Sequence, residues 1–201
     1  MSILTKIKKN RLIRGFYFII KNYFLCNSSK FGYYGTDVNM IPPITISNPE
    51  NVYLYGNNGL NNATILTTNA KFIMMPNSGA ASGLKVVTGN HARIIGVPYR
   101  CITEDMKPKG LDNDVIVEED VWMGINVTLL SGVNIGRGTT IAAGAVVSRS
   151  MPPYCICGGV PARVIKFYWT IEQIMEHESK IYPEDKRYTR EELNNIFAQY
   201  S

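Results

Sequence analysis

The stretch Val117-Glu-Glu-Asp-Val-Trp-Met-Gly-Ile-Asn-Val-Thr-Leu-Leu-Ser-Gly-Val-Asn-Ile-Gly-Arg-Gly138 repeats with a period of six. Stepping by six from its first residue and on past its end gives Val117, Met123, Leu129, Ile135, Ile141 and Val147, all large and apolar. Four residues after each step stand Val121, Val127, Val133, Thr139, Ala145 and Met151, which are small, β-branched or apolar. Gly124, Asn126, Gly132, Gly136, Gly138 and Gly144 fall between them as turn formers. Neither the 3.6 of a helix nor the 2 of a simple strand describes this pattern. A six-residue period of short β-prone pieces joined by turns describes a parallel β-helix, in which each coil stacks its apolar positions on the coil before it.

The same period shows earlier, less regularly. Leu60, Leu66, Phe72 and Leu84 share a frame in which Ser78 is the single polar member, and Ile46 and Val52 begin a shifted run. The 33 residues from Leu84 to Val117 are not a multiple of six, so an insertion interrupts the coil at about 95–113. The expected organisation is an N-terminal helical, amphipathic segment over 1–39, a β-helix over 40–167 and a helical extension over 168–201. Thr170-x-x-Gln173 and Thr189-x-x-Glu192 read as capping boxes that open two terminal helices, with Pro183 between them.

The 201 residues are 45% hydrophobic, and the mean hydropathy is near zero, as in ordinary globular domains. Many of the basic residues behind the net charge of +5 crowd the two ends of the chain, which disfavours a nucleic-acid binder. The apolar run Gly15–Ile20 is too short to span a bilayer, so a helix packed on the domain is expected, with peripheral membrane contact as a secondary option. Cys26, Cys101, Cys155 and Cys157 form no CxxC pair and suggest no disulfide framework, which fits a reducing, cytoplasmic setting. An extended Cys155-Ile-Cys157 points both thiols to one face.

The run from Val117 to Gly138, with Ile141–Val147, Met151-Pro-Pro-Tyr154 and Gly158-Gly-Val-Pro-Ala-Arg-Val-Ile165, resembles the hexapeptide-repeat acyltransferases. The similar branch holds maltose, galactoside and xenobiotic acetyltransferases and O-acetyltransferases of bacterial polysaccharides. The resemblance covers about residues 35–168. It implies a left-handed parallel β-helix, a homotrimer and acetyl-CoA as donor.

Of the two histidines, His177 lies in the polar Glu176-His-Glu178 and reads as a solvated helix residue. His91 stands in Gly89-Asn-His-Ala-Arg93, where the Asn-His pair matches the family's catalytic one. A neutral imidazole suits removal of a proton from an acceptor hydroxyl, because its unperturbed pKa lies near working pH. By resemblance, Asn90 orients acceptor or histidine, Trp122 of a neighbouring subunit walls the acceptor site, and the Gly124-Ile125 turn supplies backbone donors to the oxyanion. Tyr99 and Arg93, beside or within the insertion, are candidate acceptor contacts. The family pattern further assigns the donor to Ala143 and Ser148, with Arg163 and Lys166 meeting the coenzyme A phosphates.

The acceptor class favoured is a sugar hydroxyl in surface polysaccharide synthesis, at the inner membrane face if the N-terminus touches lipid. Alternatives are an N-acetyltransferase on an amino sugar or nucleotide sugar, a xenobiotic O-acetyltransferase, and a non-enzymatic β-helix scaffold. A zinc-dependent carbonic anhydrase on this scaffold needs three histidines, and two are present, so no metal is expected.

Overall fold

In a computed structural model that describes residues 11–24 and 28–200, the chain winds into a parallel β-helix of about six coils. Each coil contributes one short strand to each of three sheets. Sheet A stacks Tyr33–Tyr34, Val52–Leu54, Phe72–Met74, Val115–Val117 and Asn134–Ile135. Sheet B stacks Asn39–Ile41, Gly59–Asn61, Gly79–Ala80, Trp122–Met123, Thr140–Ile141, Cys155–Gly159 and Ala162–Phe167. Sheet C stacks Thr45–Ile46, Thr64–Leu66, Lys85–Val87, Thr128–Leu129 and Val146–Val147. All pairings between coils are parallel, and the final sheet B pair is antiparallel. The first strand begins at Tyr33, ahead of the boundary expected at residue 40.

The two six-residue registers line the axis. Val117, Met123, Leu129, Ile135, Ile141 and Val147 are all 0% exposed, and their companions from Val121 to Met151 are buried with them. The earlier frame needs correction. Ile65, not Leu66, pairs with Val86 and so with Leu129, and Leu66 points outward at 41% exposure. The B-to-C corner after Leu60 is one residue shorter than its counterparts, so a fixed period slips there. Ser78, the polar member of that frame, is buried; its hydroxyl donates to Glu118 O (2.6 Å) and accepts from Val121 N (3.0 Å). A satisfied hydroxyl of this kind replaces an apolar side chain at little cost.

Helix α1 spans Arg11–Phe24 and meets the β-helix where Ile44 N donates to Asn22 O at 3.0 Å. Helices α2 (Ile171–Ile181) and α3 (Arg190–Gln199) open with both capping boxes formed, at Thr170/Gln173 and Thr189/Glu192. They enclose a second small core of Tyr154, Ile174 and Leu193. Here the reading of His177 as solvated is overturned. Its ring packs on Trp169 at 4.6 Å between centroids, its Nε2 is buried, and its neighbour Glu178 is fully buried. The inward arc of α2 runs Ile171, Ile174, Met175, Glu178, so the polar triplet lies partly against the body rather than in water. Glu178 accepts from Arg137 Nη1 (3.0 Å), Tyr154 OH (2.8 Å) and Tyr188 N (2.6 Å), tying the helices to the coils.

Candidate active site

The corner between sheets C and A carries His91. After Val87 the chain leaves the coil, runs through an insertion containing two short 3-10 turns, and re-enters at Val115. His91 is exposed and lines a pocket of about 170 Å³ with Leu66, Thr68, Gly89, Glu104 and Lys107. Its ring meets Tyr99 edge-on at 6.1 Å, and the Arg93 guanidinium lies over the Tyr99 ring, 5.5 Å from its centre. Three of the residues expected at the acceptor site are therefore gathered by the start of the insertion.

Asn90 is bonded to the far end of the insertion. Its side-chain amide donates to Leu111 O (2.8 Å) and its backbone N–H to Asp112 Oδ1 (2.7 Å), so it straps the histidine segment to the end of the insertion. Asp112 also accepts from Lys107 Nζ (2.8 Å) and Asn69 Nδ2 (2.8 Å). Burial opposes ionisation of Asp112, but the Lys107 ammonium and the N–H donors of Asn90 and Asn69 outweigh it and hold the carboxyl below its ordinary value. Its partner shifts in the matching direction: Asp112 raises Lys107 despite partial burial. Asp112 was not singled out from sequence, since the groups it joins lie 5, 22 and 43 residues away.

A second group forms a column along the corner between sheets B and C. Gly124 backs directly onto the next coil: a Cβ added there would lie 2.7 Å from Ala143 N and 2.9 Å from its Cα. Gly158 in turn sits against Ala142, and Arg163 is paired across from Gly158. The glycine at 124 is thus required by the neighbouring coil. Its N–H donates to Ile141 O at 2.8 Å, so within the Gly124-Ile125 turn expected to supply oxyanion donors the Gly124 amide is engaged in the sheet. Ile125 and Ala143 are exposed on this corner, and Arg163 and Lys166 are exposed on the last strand. Ser148 lies apart, where the fifth strand of sheet C ends.

Sheet C separates the B–C corner from the C–A corner that carries His91. Trp122 is elsewhere. It projects from sheet B at 52% exposure over Gly79, beside a groove of about 390 Å³ lined by Asn57, Asn77 and Asp120. Within one chain, Trp122 and His91 occupy different corners. Cys155 and Cys157 are fully buried, which removes them from contact with any thioester, and Cys26 lies outside the described residues.

Residues 114–149 match the bacterial transferase hexapeptide (six repeats). The chain carries the bacterial transferase hexapeptide repeat. The repeat includes Trp122, Gly124, Ile125, Ala143 and Ser148, whereas His91, Asn90, Arg93 and Tyr99 precede it and Arg163 and Lys166 follow it. A probable macrolide acetyltransferase of Lysinibacillus sphaericus is 36% identical over 104 residues, 52% of this chain and 56% of that protein. The chain thus spans about half the length of that curated relative. Among solved structures, a maltose O-acetyltransferase from Clostridium difficile superposes with a TM-score of 0.59 at 22% identity, covering 84% of this chain and 90% of that one. A galactoside acetyltransferase in complex with coenzyme A gives 0.57 at 19% identity, covering 94% and 92%. At these identities the likeness establishes a shared fold, and the hexapeptide repeat accounts for the coils from Val115 to Val147.

Proposed function

We propose that this protein transfers an acetyl group from acetyl-CoA to a sugar hydroxyl, with His91 as general base and no covalent enzyme intermediate. The observation that carries the reading is the exposed His91 ring lining a small, partly polar pocket with Thr68, Glu104 and Lys107. In the proposed step the acceptor oxygen attacks the thioester carbonyl carbon as His91 takes its proton. The C–S bond of the tetrahedral intermediate then breaks, and the coenzyme thiolate leaves with that proton. The exposed corner at Ile125 and Ala143 would receive the pantetheine arm, and Arg163 and Lys166 would meet the phosphates.

Support for the donor is the coenzyme A bound in the galactoside acetyltransferase neighbour. Support for a hydroxyl acceptor is the maltose O-acetyltransferase neighbour. A homotrimer is part of the proposal, since Trp122 can face His91 only across subunits. The buried positions of Cys155 and Cys157 favour direct transfer.

The test is release of free thiol from acetyl-CoA with a panel of sugars, sugar nucleotides and their amino analogues. His91→Ala is expected to lower transfer by about a hundredfold or more while acetyl-CoA binding stays near the parent value. Full turnover in that variant removes His91 from the mechanism. Turnover confined to the amino analogues replaces the hydroxyl acceptor with an amine.

A further inference from the structure

Helix α1 is amphipathic, yet its apolar side is turned to solvent. Leu12, Phe16 and Ile19, spaced four and three residues apart, share one side of the helix and are 84%, 68% and 49% exposed. Tyr17 and Phe18 are also exposed. The buried Asn22, near the helix end, accepts from Ile44 N of the β-helix through its backbone oxygen. A 14-residue helix is marginal in water without a surface to pack on, so this apolar side calls for a cover.

Charge identifies the cover. Seven of the 21 Lys and Arg residues (Lys6, Lys8, Lys9, Arg11, Arg14, Lys21 and Lys30) lie in the first 36 positions, which hold no Asp or Glu. That stretch therefore carries +7 and the rest of the chain −2, against +5 overall. A second copy of the chain would bring its own +7 stretch and a body almost neutral. An anionic lipid surface supplies dense negative charge and an apolar layer in the same place, which suits aromatic and aliphatic side chains interleaved with cations. The described helix is about 21 Å long, short of the roughly 30 Å hydrocarbon core, and no helix among the described residues is long and apolar enough to cross a membrane. We propose that the N-terminal helix docks the protein on an anionic membrane surface, lying in the interface with Leu12, Phe16 and Ile19 inserted.

The proposal is independent of the acetyl-transfer reading. The test is co-sedimentation of the full chain with phosphatidylcholine vesicles, with and without about one third phosphatidylglycerol. Expected is a bound fraction at least tenfold higher on the anionic vesicles, lost as salt is raised to about 0.5 M. The double variant Phe16→Glu, Ile19→Glu should lose binding by at least tenfold with its thermal unfolding unchanged, because both side chains are exposed. Absence of binding to anionic vesicles, equal binding to neutral ones, or retention of binding by the double variant overturns the proposal. A change of oligomeric state in the double variant, with no vesicle binding by the parent, assigns the face to contact between copies and overturns it as well. Thiol release with a soluble acceptor, run on the same samples, reports the acetyl-transfer proposal separately.

Discussion

Replacing Asp112 by alanine removes three hydrogen bonds at once, those donated by Asn90 N (2.7 Å), Asn69 Nδ2 (2.8 Å) and Lys107 Nζ (2.8 Å). The side chains of Asp112 and Lys107 are only 7% and 12% exposed. Removing one partner from a fully buried pair costs about 3–5 kcal/mol. Lys107 is not orphaned here, however, because Glu104 stays 3.1 Å from it with a side chain that is 65% exposed. The cost should fall to about 2 kcal/mol, in the range of a charge-assisted hydrogen bond. The loss is local, since Asp112 anchors the insertion and not the coils. It converts to roughly a 30-fold rise in the opening equilibrium of the strap, read as faster hydrogen exchange at the Asn90 amide. The Thr128 amide, bonded to Ala145 O within sheet C, should exchange at the parent rate. Asp112→Asn keeps an acceptor for Asn90 while losing the ion pair, so its Asn90 amide should fall between parent and alanine variant. The carboxyl is held below its ordinary value, so the strap's stability is complete above the unfolded-state pKa of about 3.9 and declines as pH falls through the lower folded value. Asn90 protection should stay level from neutrality to about pH 5 and drop only in stronger acid. Unchanged Asn90 exchange in Asp112→Ala, or equal acceleration at Thr128, refutes the reasoning.

Two further substitutions test the coil interior. Leu129→Ala should lower unfolding free energy by about 2–5 kcal/mol in denaturant titration, because Leu129 is 0% exposed, whereas Leu66→Ala should cost no more than about 1 kcal/mol. Similar costs for both would return Leu66 to the core and contradict the register. Gly124→Ala places a Cβ 2.7 Å from Ala143 N, and separating the two coils should cost about 1–3 kcal/mol in thermal unfolding. An unchanged midpoint would show that the corner has room, and would reopen Gly124 as a ligand contact rather than a packing requirement.

The coils from Val117 to Val147 were legible because every corner there has the same length, so apolar spacing alone sets the register. Between Leu60 and Leu84 one corner is a residue shorter. Ile65 and Leu66 are both apolar, so hydropathy cannot decide which faces inward, and only the pairing of Ile65 with Val86 does. The site divides in a similar way. The turn at Gly124 was readable as glycine-dependent, but the reason for the glycine is the Ala143 backbone one coil away, and the amide's engagement follows from sheet pairing. The Asn90 side chain could be placed on a loop beside His91, yet its hydrogen-bond partner belongs to the far end of the insertion.

Glu178 shows where a stronger sequence signal was available. Flanked by His177 and Ser179 it looks solvated, but the spacing Ile171, Ile174, Met175, Glu178 continues an inward arc, and an acid at the fourth position of such an arc is buried or the arc ends there. The arc does not end. Arg137 and the Tyr154 hydroxyl each donate to Oε1, and Tyr188 N donates to Oε2, so both carboxylate oxygens are engaged. Arg137 itself lies in the Ile135-Gly-Arg-Gly138 corner of the hexapeptide repeat. The one cation in that glycine-rich corner and the one acid in the apolar stripe of α2 are therefore two halves of a single contact. A polar residue that breaks an otherwise regular apolar pattern should first be matched against another such residue before it is read as surface.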